Sequence, residues 1–131
     1  NKNRGSIMKT VKYRSWNEQA KCFIYFMNGF YYDAEWVQGC FDFSWANAEQ
    51  FTGLHDKNGK EIYEGDTVVC AYGKYDLEKE GLVRIGKIIY DDRTASFKVR
   101  VKDSAVLVGF FYDINKIEII GNIHENPELM K

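Results

Sequence analysis

Residues His55 to Tyr72, HDKNGKEIYEGDTVVCAY, restrict the chain to few folds. Asp56, Asn58 and Gly59 are a tight-turn signal, because a short Asx side chain bonds nearby backbone and Asn and Gly reach positive φ at little steric cost. Glu64, Gly65 and Asp66 supply a second turn, and the β-branched run from Thr67 to Tyr72 then fits a pleated strand. A polar linker, GKYDLEKEG, leads to LVRIGKIIYDD, ASFKVRV, AVLVGFFYD and KIEIIGNI, with breaks at Asp92-Arg93, Lys102 to Ser104 and Asn115. Four successive strands with short connections predict an antiparallel meander and, for this half of the chain, a small β-barrel. In ASFKVRV, Phe97, Val99 and Val101 alternate with Lys98, Arg100 and Lys102, so one face turns inward and a basic face stays wet. Pro127, the only proline, is placed to open a terminal helical turn capped by Asn126.

The preceding half is aromatic. MKTVKYRSW and KCFIYF flank the polar turn formers NEQA and predict a hairpin, with KCFIYF so continuously apolar that it is covered on both faces or lies at a subunit contact. Asn28-Gly29 and Gln38-Gly39 break the next stretch into two short aromatic strands around Tyr31 and Phe41, and Ser44 is placed to cap one helical turn in WANAEQ. Ten aromatic residues fall between Phe23 and Trp45. A thin hairpin layer cannot hide that many rings, and large apolar surface that a subunit leaves uncovered marks an interface in which Tyr and Trp are favoured. Phe23, Tyr25, Phe26, Tyr31, Tyr32 and Trp36 are therefore the candidate self-association residues, beside the plainer reading that the run is core.

The chain divides into three segments: residues 1–7, NKNRGSI, as a tag remnant or flexible tail; 8–53 as the β-hairpin and aromatic region; and 54–131 as the barrel with its terminal turn. With 131 residues, a core forms without metal or disulfide staples. Cys22, Cys40 and Cys70 are odd in number, form no CxxC pair and sit in apolar runs, so they are expected as buried thiols in a reducing compartment. No apolar run approaches the length of a membrane span and no secretory leader pattern is present; the expectation is a bacterial cytoplasmic protein with no membrane partner.

FTGLHDKNGKEIYEGDTV, closed at the end of the chain by IEIIGNIHENPEL, is similar to the YopX family of phage and prophage proteins. The opening MKTVKYRSWNEQAKCFIY resembles that family too, in a basic-aromatic K.R.W before a hairpin, so the likeness spans nearly everything after Met8. The resemblance implies an SH3-like β-barrel from near the EGD turn onward and a prophage accessory role of unestablished biochemistry. It brings no catalytic residues. His55 stands where the family pattern carries lysine or threonine, which argues against catalysis there.

The residues themselves point the same way. His55 and His124 lack the HxxxH or HExxH spacing of a shared metal, and a Cys70/His124 nucleophile pair would need a low thiol pKa that the apolar VVCAY run does not favour. Asp56, Glu61, Glu64 and Asp66 could hold a divalent cation or act as acid and base, but two of them begin turns and the loop lacks an EF-hand pattern. No GxGxxG, GxxxxGK[ST] or GxSxG occurs. The expectation is a non-enzyme without cofactor: an oligomeric protein-interaction module whose partners are itself and a host or phage protein. The alternative is a nucleic-acid-binding small barrel using Lys12, Arg14, Trp16, Lys98, Arg100 and Lys102, since cationic grooves with interleaved rings hold single strands. A net charge of −1 denies that alternative a broad positive field, and Lys and Arg on an outer strand face also serve simply as solvation.

Overall fold

A computed structural model describes residues 11–27, 30–32, 45–71, 83–104, 107–109 and 117–131. The chain is mainly β. Its strands are β1 (Lys12–Asn17), β2 (Cys22–Met27), β3 (Phe30–Tyr32), β4 (Glu49–His55), β5 (Glu61–Tyr63), β6 (Asp66–Ala71), β7 (Val83–Asp91), β8 (Ser96–Val101), β9 (Leu107–Gly109) and β10 (Ile117–Asn122). Short 3-10 turns at Trp45–Asn47 and Pro127–Met130 are the helical content among the described residues. Two compact units divide between Gln50 and Phe51, within β4.

In the first unit, β1 and β2 form the hairpin expected from the NEQA turn, with Lys12 opposite Met27 and Asn17 opposite Cys22. Asn17 builds that turn: its Oδ1 accepts from the Ala20 amide at 2.9 Å and its carbonyl from the Lys21 amide at 2.8 Å. β3 pairs with β2, and Tyr13 and Arg14 of β1 pair with Gln50 and Glu49 of β4. The helical turn expected in WANAEQ is shorter than its pattern, because Glu49 and Gln50 are already in β4.

The second unit holds the core, where Ile62, Val68, Cys70, Ile88, Val99 and Ile117 are buried together with Leu54, Phe97 and Ile119 against them. Its sheet runs β10-β6-β7-β8-β9, every pair antiparallel. This corrects the simple meander: β7, β8 and β9 follow in order, but β10 returns beside β6 rather than β9. The return satisfies the β6 edge with the Ile117-Cys70 and Ile119-Val68 pairs, which place both isoleucines against the core. Among the described residues no strand pairing closes the sheet into a barrel.

Turn chemistry follows the sequence closely. Gly59 has φ +81° and Gly65 φ +90°, the left-handed region that a side chain disfavours. Gly65 also ties elements together, its amide donating to the Ile88 carbonyl at 2.9 Å and its carbonyl accepting from Ile123 at 3.1 Å. Pro127 does open the terminal turn, but Asn126 does not cap it with its side chain. The Asn126 Oδ1 accepts instead from the Asn122 amide at 3.3 Å, leaving the carbonyl of Asn126 to take the Leu129 amide.

Candidate functional site

The basic candidates divide between the two units and have different fates. On β1, Lys12 and Arg14, named as nucleic-acid-binding candidates, are only 4% and 5% exposed. The Arg14 Nε donates to Glu49 Oε1 at 2.7 Å, and its guanidinium lies 4.1 Å from the centre of the Phe23 ring. Arg14 therefore joins β1, β2 and β4, with its charge neutralised and its flat cation on an aromatic face. Trp16 donates its indole N–H to Glu18 at 2.8 Å and meets Phe23 edge-on, with ring centroids 4.9 Å apart.

On β8 the alternation expected in ASFKVRV is present: Val99 is buried, Phe97 packs against the core and Arg100 is exposed. Lys98 is not a free cation, since its Nζ donates to Asp91 Oδ2 at 2.7 Å. Asp91 is the residue that sequence reasoning missed. Its Oδ1 also accepts from the Arg93 amide at 3.1 Å, and its carboxyl is drawn down to about 2, first by the Lys98 hydrogen bond and then by Arg93. The signal was present in the hairpin: Asp91 pairs with Ser96 and Ile89 with Lys98, so a carboxylate at the start of the turn meets an amine two positions beyond its partner. Lys102 is half-buried at the strand end, its amide donating to the Ile85 carbonyl at 2.8 Å.

The acidic loop is a fastener. Asp56 is 0% exposed, and its carboxylate accepts three backbone N–H groups: Asn58 and Lys60 at 2.9 Å and, across the chain, Ile119 at 3.0 Å. Those bonds hold the turn to β10, helped by the Lys57 amide donating to the Ile117 carbonyl at 3.1 Å and by the Lys57–Glu118 ion pair. Asp66 accepts the Tyr63 amide at 2.8 Å inside the next turn. Both carboxylates thus hold backbone donors, which accounts for their position in the sequence.

Cys70 is buried and its thiol points to the Arg84 carbonyl at 3.7 Å, whereas Cys22 is half-buried and Cys40 lies outside the described residues. His55 is exposed and meets Phe51 edge-on at 5.7 Å. Among the described residues no three His, Cys, Asp or Glu side chains gather as metal ligands, and no helix is long and apolar enough to cross a membrane.

Of the aromatic candidates, Phe23, Tyr25 and Phe26 stand on β2, and all six residues of that strand are half-buried. Tyr31 and Tyr32 belong to β3, while Trp36 and the tail at residues 1–7 lie outside the described residues. A half-buried position repeated six times is unlike the alternation of a strand with one dry and one wet face. It leaves rings on both sides of β2 with surface still to cover.

No curated protein matches the chain. Among solved structures it is similar to protein EF1440 from Enterococcus faecalis, with a TM-score of 0.52 and 24% identity over 92% of this chain and 98% of that one, a likeness of fold. The family model described as YopX protein matches residues 12–131, which takes in the hairpin, the Asp56 fastener and the β10 return alike. On that match, the chain belongs to the YopX family.

Proposed function

We propose that the chain is a non-enzymatic prophage accessory protein of the bacterial cytoplasm, which assembles with copies of itself and binds another macromolecule. The observation that carries this reading is the unbroken half-burial of β2 across Phe23, Ile24, Tyr25 and Phe26. Rings left half-covered on both faces of a strand lose apolar contact with water when a second surface meets them, at about 25 cal/mol per Å² removed. Family membership supports the phage setting, and the β10 return beside β6 is compatible with an SH3-like curl of the second sheet. Carboxylates committed to backbone amides support the non-enzymatic reading.

Native mass spectrometry of the full chain over a concentration series tests it. The expected result is a discrete homo-oligomer, with any retained host or phage protein visible as added mass. A strict monomer at the highest concentration removes the assembly, and retained nucleic acid would replace the protein partner by the alternative.

A further inference from the structure

Two cations face each other across the β7–β8 ladder. Lys87 is the register partner of Arg100, and strand alternation puts both on the face opposite Ile88 and Val99, which are buried in the core. Directly opposed side chains have Cβ atoms on the order of 5 Å apart, where like charges repel. Among the described residues neither side chain has an ion-pair partner. The nearby carboxylate, Asp91, is already held by Lys98 and Arg93. A sheet normally relieves such a pair with an acid on a neighbouring strand, yet the next partner along this row, on β6, is the neutral Thr67.

The same face is not simply a solvated one. Val69 of β6 and Ile85 and Ile89 of β7 share it by alternation and register, and all three are half-buried, so aliphatic surface remains beside the two cations. The rings of the hairpin, Tyr90 and Phe97, pair with each other on the opposite, core-side face at 5.3 Å. Among the described residues the face therefore offers positive charge and aliphatic contact without an aromatic platform. Single-stranded nucleic acid gains much of its hold by stacking bases on rings, and one cation pair in a chain of net charge −1 supplies little of the field a duplex needs. An acidic protein segment matches both features at once.

We propose that the Lys87/Arg100 face of the β7–β8 hairpin docks an acidic, aliphatic-bearing protein segment, its carboxylates on the two cations and its aliphatic side chains on Val69, Ile85 and Ile89. The surface belongs to the unit Phe51–Lys131, and the inference stands whether or not the aromatic strand assembles.

The test uses the full chain and a fluorescent peptide of alternating Glu and Val, read by polarisation at low salt. Two further probes are its Gln/Val counterpart and a deoxythymidine oligonucleotide of similar charge. Expected is saturable binding of the Glu/Val peptide that weakens with salt, falls about tenfold in the Lys87→Ala/Arg100→Ala double variant, and is unchanged in Arg84→Ala, an exposed cation on the other face. Far-UV circular dichroism checks that the double variant is folded. No binding of the Glu/Val peptide overturns the proposal, as does equal binding of the Gln/Val peptide. Preferential binding of the oligonucleotide through Lys87 and Arg100 assigns the face to nucleic acid. Self-association that disappears in the double variant assigns it to a second copy of the chain.

Discussion

Asp91 shows how one carboxylate decides what a row of basic residues can do. Lys98 holds it in its charged form, drawing its carboxyl from the ordinary 3.8 to about 2, so the folded chain binds that proton less readily than the unfolded one. A lowered carboxyl contributes stability that is present above the ordinary value and is lost as pH falls through the folded one. The urea midpoint of the native protein should therefore exceed that of Asp91→Asn at neutral pH, with the gap closing between about pH 4 and about pH 2. A gap that stays constant through that window would show that Asp91 titrates alike in both states. The same residue marks the limit of reading charges from sequence. Lys98, Arg100 and Lys102 look equivalent in an alternating strand, and Lys12 and Arg14 look like members of a cationic groove. Which of them remains free depends on a partner supplied by another strand: Asp91 for Lys98, Glu49 for Arg14. Arg14 and Glu49 are 35 positions apart, so no local pattern announces their bond.

At the scale of elements, the strands were legible because their signals are local, and their order was not. Gly59 and Gly65 announce their turns by the positive φ they supply, and the β1–β2 and β7–β8 hairpins follow from turn formers between apolar runs. The return of β10 to β6 and the anchoring of Asp56 to Ile119, 63 positions away, depend on which edge a late strand satisfies. The β7–β8 contact illustrates why register matters. A Cβ on Gly86 would sit 2.3 Å from Val99 Cγ1 and 2.9 Å from the Arg100 carbonyl oxygen, so this glycine is there for close approach. Gly86→Ala should destabilise the protein by about 1–3 kcal/mol, because Val99 is buried and cannot step aside without disturbing Ile88 and Val68 beside it. Chemical denaturation reads the loss, and a midpoint unchanged from the native protein would mean that β8 yields freely there.

For the whole molecule, the distribution of burial sets where the chain opens and where it can gain a partner. Phe51–Lys131 contains the buried cluster of β5, β6, β7, β8 and β10, whereas β2 in the unit before it has six half-buried positions. Amides exchange with solvent through local openings whose cost rises with the apolar contact that must be broken. In dilute solution, hydrogen exchange should accordingly be slowest in β6 and β7 and faster in β2. Assembly through the aromatic strand would add contact to β2 and leave the β6–β7 core nearly as it was, so raising the concentration into the oligomer should slow exchange selectively at β2. Exchange at β2 that stays fast while the protein oligomerises would move the interface elsewhere on the surface. Slow exchange at β2 already in the monomer would mean that its half-covered rings need no second chain to hold them.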